Sequence, residues 1–238
     1  MLSLIVFLPL AGAVVLAAMP AIGPAVARWA WVAVSAVELV LVGVLWVGYE
    51  DPGQNALAYE QQVPWIPGVN SSYHVGVDGL SLPLVAMTTI VFLACAVYAL
   101  RQPDRPRIQA ALFLFLQGVS LGVFVAADLI LFFVFFDLSI VGMYFVIAGW
   151  GHGNAARSAL KFFLYTFLGS LALLLGFIGL YVAAAPHTFD IPELVAATPL
   201  DDSPLTGGLV LAAIVVGLAV KTPTVPFHTW LPPAHTDA

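Results

Sequence analysis

Residues 128–149 read DLILFFVFFDLSIVGMYFVIAG, an apolar stretch that opens on Asp128 and is interrupted by a second acidic side chain, Asp137. An α-helix rises about 1.5 Å per residue, so about 20 apolar residues cross the hydrocarbon core of a bilayer. The stretch therefore predicts a membrane-spanning helix. It also places a carboxyl group inside the membrane, where an ionisable side chain indicates a functional site.

The same length rule applied to the rest of the chain predicts about seven spanning helices. They are residues 2–20, 26–48, 79–100, 107–126, 128–149, 159–184 and 206–222. The composition agrees, because 62% of the 238 residues are hydrophobic and only 8% are charged. A soluble domain carries about 25% charged residues. The chain is therefore predicted to be an all-α integral membrane protein.

Other protein classes are disfavoured by charge and by cysteine content. The net charge of −6 argues against nucleic-acid binding, which needs a basic surface. A lone Cys95 excludes an internal disulfide and a cysteine cluster for zinc or iron–sulfur. No Lys or Arg precedes Arg28, so residues 2–20 lack the charged start of a signal peptide and are expected to remain as the first span.

Loop charges predict the orientation of the helices. The arginines lie in or beside the first, third and fifth connections, whereas the second and sixth carry acidic residues and no Lys or Arg. Basic loops face the cytoplasm, which predicts a multi-pass protein of the cell inner membrane with its N-terminus outside. The second connection, residues 49–78, is rich in turn-forming residues and is expected to be an ordered external cap.

Four ionisable residues lie within or at the edge of the predicted spans, namely Glu38, Asp137, Lys161 and Lys221. A charge at the bilayer centre costs about 2.5–3.5 kcal/mol on insertion scales, so such a residue faces a partner or water. A simple membrane anchor could have leucine at each of these positions. The four residues therefore predict more than anchoring.

Asp137 lies in the apolar segment 132–138, FFVFFDL. Such a setting disfavours the charged form of a carboxyl, whereas a nearby cation favours it. A carboxyl whose charge depends on a movable cation is the element that a proton pump requires. The alternative is a static ion pair that only locks two helices together.

Lys221 begins the segment 221–226, KTPTVP. A proline lacks the amide hydrogen and clashes with the carbonyl four residues earlier, so Pro223 and Pro226 free two carbonyls beside the lysine and break the seventh helix. Broken helices of this kind form ion sites in transporters. The alternative is a proline kink near a lysine that extends to the membrane interface.

Three further side chains are candidates for proton transfer. Lys161 lies near the cytoplasmic end of the sixth span and fits a relay or an interfacial position equally well. His228 and His235 follow the helix break, and histidine titrates near neutral pH. As zinc ligands the two histidines lack further donors nearby, so no metal site is predicted.

Other polar residues are expected to be structural. Glu38 is predicted to be a neutral glutamic acid that hydrogen-bonds to a neighbouring helix. His74, His152 and His187 lie in connections and are expected to be solvated.

Four segments resemble the antiporter-like membrane subunits that include subunit M of respiratory complex I (NADH-quinone oxidoreductase). They are residues 75–81 (VGVDGLS), 128–137 (DLILFFVFFD), 161–170 (KFFLYTFLGS) and 221–236 (KTPTVPFHTWLPPAHT). The resemblance implies a proton-translocating subunit in which Asp137 stands at the position of the family's glutamate and Lys221 at that of its lysine. Aspartate is one methylene shorter, so the distance between the pair must adjust.

The resemblance also implies a larger architecture. The family has about fourteen helices in two inverted repeats, so the chain corresponds to the first half. Residues 1–106 would hold the first three helices and residues 107–238 an incomplete first repeat. FMN, iron–sulfur clusters and quinone are expected in other subunits, with no cofactor in this chain. The expected partners are other membrane-arm subunits, including neighbouring antiporter-like ones, and the lipid bilayer.

Two other functions fit the same sequence features. A subunit of a multisubunit sodium/proton antiporter or of a membrane-bound hydrogenase would share every motif above. A non-conducting scaffold of the membrane arm is a further alternative, although the intramembrane charges speak against it.

Overall fold

The computed structural model describes residues 1–53, 56–101 and 104–238. The helices are α1 (Leu2–Ala18), α2 (Pro24–Val47), α3 (Ser81–Ala99), α4 (Pro106–Val125), α5 (Leu129–Trp150), α6 (Ala155–Ala183), α7 (Ile191–Ala197), α8 (Pro204–Lys221) and α9 (Leu231–Thr236). Two strands, β1 (Ala58–Ile66) and β2 (Ser71–Val77), pair as a hairpin.

Each predicted span is a helix in the structure, which confirms the helical membrane fold. Six helices, α2 to α6 and α8, are long and apolar enough to cross a bilayer. The helix α1 has 17 residues and is about 25 Å long. The helix α6 begins at Ala155, four residues before the predicted start. Its first turn includes the exposed Arg157, which hydropathy assigns to the loop.

The first compact unit comprises residues 1–61 and 75–126 and contains α1 to α4. Its core joins Trp31, Ala27, Leu16 and Leu114. A Cβ at Gly118 would lie 2.6 Å from the Leu10 side chain and 2.8 Å from the Val6 carbonyl. Small residues allow close helix approach in membranes, so Gly118 explains the tight packing of α4 on α1.

The second compact unit comprises residues 62–74 and 127–238 and contains α5 to α9. Glycines also set the contact of α6 with α8. A Cβ at Gly169 would lie 2.5 Å from the Val220 side chain, and one at Gly217 would lie 2.6 Å from the Leu173 side chain.

The boundary between the two compact units in the helical part of the chain follows Ala126, so α4 belongs to the first unit. The predicted boundary at residue 106 concerned the inverted repeat and stays a prediction.

The prolines interrupt the seventh span as predicted, since α8 ends at Lys221 and helical structure resumes only at Leu231. Thr224 compensates the carbonyl that Pro223 frees, because its backbone N–H and its hydroxyl donate to the Ala219 oxygen at 3.0 and 3.1 Å. The indole N–H of Trp230 donates to the Val220 carbonyl at 2.8 Å. The irregular segment is therefore held to the end of α8 by specific hydrogen bonds.

The connection between α2 and α3 contains a hairpin that the sequence reasoning missed. The turn residues predicted an ordered cap without strands, whereas β1 and β2 pair across the 3₁₀ turn Pro67–Val69. Asn70 closes this turn in the left-handed region at φ 49°, a conformation that asparagine tolerates better than most residues. Residues 54 and 55 of this predicted cap lie outside the described residues.

Candidate functional site

Asp137 lies near the middle of α5, between the buried Phe136 and the partly buried Leu138. The Ser170 side chain of α6 lies close to its carboxyl group. In the part of the chain that the structure describes, its Oδ1 atom is buried and has no hydrogen-bond partner. Asp137 therefore has acceptor capacity left for a proton, a water molecule or a cation.

Lys221 is the last residue of α8, and its side chain lies against α5. Its amine donates to the Ser139 hydroxyl at 2.9 Å and lies 4.8 Å from the centre of the Phe136 ring. These two residues flank Asp137 in the chain. The Lys221 amine is thus near enough to the Asp137 carboxyl for the two groups to interact electrostatically while it binds to Ser139.

The end of α8 suits a cation for two reasons. The last carbonyls of a helix carry partial negative charge that stabilises a positive side chain. An ammonium over an aromatic face gains a further 0.5–2 kcal/mol, roughly, depending on its solvation. Helix break, helix end and the Phe136 ring together hold the lysine beside Asp137.

Lys161 lies in a different environment from the one around Asp137. Its side chain is exposed, and its amine donates to the Thr229 carbonyl at 2.6 Å. Ser170, which lies close to Asp137, is nine residues further along α6, about 14 Å. Lys161 therefore contacts the irregular segment after the helix break and is not adjacent to Asp137.

The two histidines after the break differ in their surroundings. His228 is partly buried, and its Nδ1 atom has no hydrogen-bond partner among the described residues. It immediately precedes Thr229, the partner of Lys161. His235 is exposed on α9. The structure thus brings Lys221 to Asp137, joins Lys161 to the backbone of the segment that contains His228, and leaves His235 at the surface.

Comparison with known proteins places this arrangement in a family. The family model described as NADH:quinone oxidoreductase/Mrp antiporter, TM, matches residues 126–238. The chain is 39% identical to NADH-quinone oxidoreductase subunit M of Rhodobacter capsulatus over its whole length. This chain belongs to the NADH:quinone oxidoreductase/Mrp antiporter family. The predicted resemblance to antiporter-like subunits is confirmed.

Further relatives define how much of the family's length is present. The chain is 36% identical to the F(420)H(2) dehydrogenase subunit M of Methanosarcina mazei, with 79% of this chain and 39% of the relative covered. It covers 48% of the Rhodobacter capsulatus protein. The chain therefore spans about half the length or less of these curated relatives.

Two solved structures agree with this chain in fold. A chain of respiratory complex I from Thermus thermophilus superposes with a TM-score of 0.86 at 29% identity, covering all of this chain and 47% of that one. A chain of the Mrp complex from Dietzia superposes with a TM-score of 0.83 at 19% identity, covering all of this chain and 25% of that one. The latter likeness shows the shared fold alone.

Two residues of this antiporter-like site were missed by sequence reasoning. Ser139 binds the Lys221 amine, and Ser170 lies close to the Asp137 carboxyl. Serine is common in membrane helices and carries no intrinsic signal. Ser139 lies two residues after Asp137, and Ser170 belongs to the segment 161–170. Their proximity to the matched motifs was the one sequence signal that could have identified them as site residues.

The motif VGVDGLS at residues 75–81 has a structural explanation. The Asp78 carboxylate accepts hydrogen bonds from the backbone N–H groups of Ser81 at 2.7 Å and Leu80 at 3.0 Å. The Asp78 N–H donates to the Ser81 hydroxyl at 2.9 Å. The Ser81 backbone N–H holds the pKa of Asp78 below its ordinary value. Asp78 thus satisfies free N–H groups at the start of α3.

The prediction that His74 is solvated is wrong. Its side chain is 2% exposed, and its Nδ1 atom contacts the Asp190 carboxylate. Gln62 donates to the same Asp190 oxygen at 3.2 Å. Asp128 completes this polar layer, because it accepts from the Ser71 hydroxyl at 3.0 Å and from the Ile130 N–H at 2.9 Å. The layer holds the hairpin tip to the starts of α5 and α7.

The His74–Asp190 pair is expected to contribute measurably to stability. Removal of one partner of a buried hydrogen bond costs about 1–3 kcal/mol, because the other partner stays buried with one hydrogen bond fewer. His74→Ala should therefore lower the thermal unfolding midpoint in mild detergent. His152→Ala is the matched control, since His152 is exposed and its backbone N–H, which donates to the Asp237 carbonyl, is unchanged. Equal midpoints for the two variants would contradict a stabilising role for the pair.

Proposed function

We propose that this chain is a proton-translocating membrane subunit of an NADH:quinone oxidoreductase. The observation that carries the proposal is the Lys221 amine at the proline break, bound to Ser139 and over Phe136 on either side of the partly buried Asp137. The Rhodobacter capsulatus relative bears the name NADH-quinone oxidoreductase subunit M. In this proposal Asp137, Lys221, Lys161, His228 and His235 carry protons.

The chemistry of the pair supports a switch. When the Lys221 ammonium approaches Asp137, it stabilises the carboxylate and favours release of a proton from the carboxyl. When the amine is withdrawn or neutral, the apolar surroundings favour the protonated carboxyl. Ser139 provides an alternative partner that keeps the amine bound in the second position. Asp137 would thus bind a proton in one step of the cycle and release it in another.

The rest of the proton route and the driving reaction are assigned to other parts of the assembly. The chain spans about half of its relatives, so a second repeat or a partner chain would supply the remaining half. Flavin, iron–sulfur clusters and quinone would reside in other subunits, and quinone reduction there would drive the protons. The expected neighbours are antiporter-like subunits of the membrane arm in the cell inner membrane.

The proposal is tested with inverted membrane vesicles from cells that carry or lack the gene. NADH-driven proton uptake should be lost on deletion and restored by the intact gene. Sodium-driven proton exchange should be unchanged by the deletion. Loss of sodium/proton exchange with intact NADH-driven uptake would instead assign the chain to an antiporter assembly. Loss of hydrogen-dependent uptake alone would assign it to a hydrogenase.

The proposed orientation places the hairpin outside and the α3–α4 connection inside. In a Cys95→Ala background, Gly68→Cys should react with an impermeant thiol reagent in intact cells, because residue 68 is exposed at the hairpin turn. Asp104→Cys, which is also exposed, should react only after permeabilisation. The reverse pattern would overturn the orientation.

The control for labelling uses a buried position on the same hairpin. Ser71 is 2% exposed, so Ser71→Cys should remain unlabelled on both sides until the protein is denatured. Position 104 represents the predicted inner loop, residues 102–106, because residues 102 and 103 lie outside the described residues.

A further inference from the structure

A second buried carboxyl group lies in the first compact unit, on α2. Glu38 is fully buried, and among the described residues neither of its carboxyl oxygens has a hydrogen-bond partner. The predicted direct hydrogen bond to a neighbouring helix is therefore not formed. A buried polar group without a partner costs about 1–3 kcal/mol, and more when it is charged, so this group needs an explanation.

The opposite helix offers a complementary group. Gln117 of α4 is fully buried and accepts a hydrogen bond from the Ser35 hydroxyl at 2.8 Å. Its side-chain amide nitrogen is buried without a partner in the described part of the chain. Ser35 lies one helical turn before Glu38, a rise of about 4.5 Å. The Gln117 side chain thus contacts α2 one helical turn before Glu38, and one bridging water molecule would satisfy both its free amide nitrogen and the free carboxyl oxygens of Glu38.

No counter-ion in these helices is close to Glu38. By sequence, the other charged side chains of α1 to α4 as described are Arg28 and Arg107. Arg28 lies ten residues before Glu38, about 15 Å along α2. Arg107 donates to the carbonyls of Leu16 and Ala17 at 2.7 and 3.1 Å. An isolated buried carboxylate is far more costly than the neutral acid.

We propose that Glu38 and Gln117 form a buried proton-binding site in which the carboxyl group of Glu38 holds its proton and shares a water molecule with the Gln117 amide. The water would accept a hydrogen bond from the acid O–H or donate one to the acid C=O, and it would accept another from the amide N–H. It would then have the two or more polar partners that a buried water requires. This site lies within the first compact unit. It is independent of the function proposed for Asp137 and Lys221.

The test is infrared spectroscopy of the purified membrane assembly that contains the full chain. An Asp137→Asn background leaves Glu38 as the acidic side chain within the described spans. At neutral pH this background should show a carboxylic acid C=O band that is lost when Glu38→Gln is added. The band should shift in D₂O, because the proton exchanges through water. If Glu38→Gln changes only the carboxylate bands, or if the band stays fixed in D₂O, the proposal is overturned.

A second pair of variants tests whether Gln117 is the partner of Glu38. These variants also keep the proposal testable if the Glu38→Gln variant assembles poorly. Gln117→Met keeps the length of the side chain and removes the amide, so the Glu38 acid band should move to higher frequency. Gln109→Met is the matched control on the same helix, eight residues earlier, and should leave the band in place. An unmoved band with Gln117→Met, or an equal shift with Gln109→Met, would remove Gln117 from the site.

Discussion

Asp137→Asn is expected to abolish proton translocation while the chain still inserts into the membrane. Asparagine keeps the size of the side chain and loses the group that binds and releases a proton. Loss of a positioned proton-transfer group costs about 100-fold or more in rate. The measurement is the initial rate of NADH-driven proton uptake by inverted vesicles, divided by the amount of chain in the membrane.

Asp137→Glu is the matched control for this substitution. Glutamate keeps the titratable carboxyl and is the residue that the family resemblance implies at this position, so most of the proton uptake should remain. Both variants keep the surroundings of Phe136 and Ser139. Proton uptake by the Asn variant at the parental rate would leave Asp137 with a structural role only.

The helices were predictable because hydropathy directly identifies the segments that span the membrane. A run of about 20 apolar residues has few alternatives in a bilayer, and the break after Lys221 follows from the missing amide of Pro223. Hydropathy carries no such information outside the membrane. The hairpin of residues 58–77 was therefore missed, since its strands lie in a segment rich in proline and turn residues.

The site was predictable where charge lies in an apolar sequence. Asp137 and Lys221 were identified because an ionisable side chain within a span needs a partner or water. Ser139 and Ser170 lack that signal, because serine is tolerated throughout membrane helices. The contact of His74 with Asp190 joins residues 116 positions apart. Such a contact depends on the folded connections, which no local pattern in the sequence describes.

The pairing of Asp137 with Lys221 leads to the second large expected effect. The family resemblance pairs the two residues and implies that the distance between them must adjust to the shorter aspartate. The structure places the Lys221 amine on Ser139, 2.9 Å from its hydroxyl, two residues along α5 from Asp137. This geometry suits an electrostatic pair whose members meet only in part of a cycle, because the amine has a second partner within reach.

A double-mutant cycle with Asp137→Asn and Lys221→Met should therefore show strong non-additivity in proton uptake. If each single variant loses about 100-fold, independent residues would lose about 10,000-fold together, whereas a coupled pair should lose little more than either variant alone. Coupled residues show interaction energies of about 0.5–3 kcal/mol, and distant ones add to within about 0.5 kcal/mol. The control cycle pairs Asp137→Asn with Arg157→Met, because Arg157 is an exposed cation in the first turn of α6 and is not one of the proposed proton carriers. The thermal unfolding midpoints of the same variants give a second measure of coupling that remains accessible when uptake falls below detection. Additive losses for Asp137 with Lys221, or equal coupling in the two cycles, would mean that Lys221 does not control the charge of Asp137.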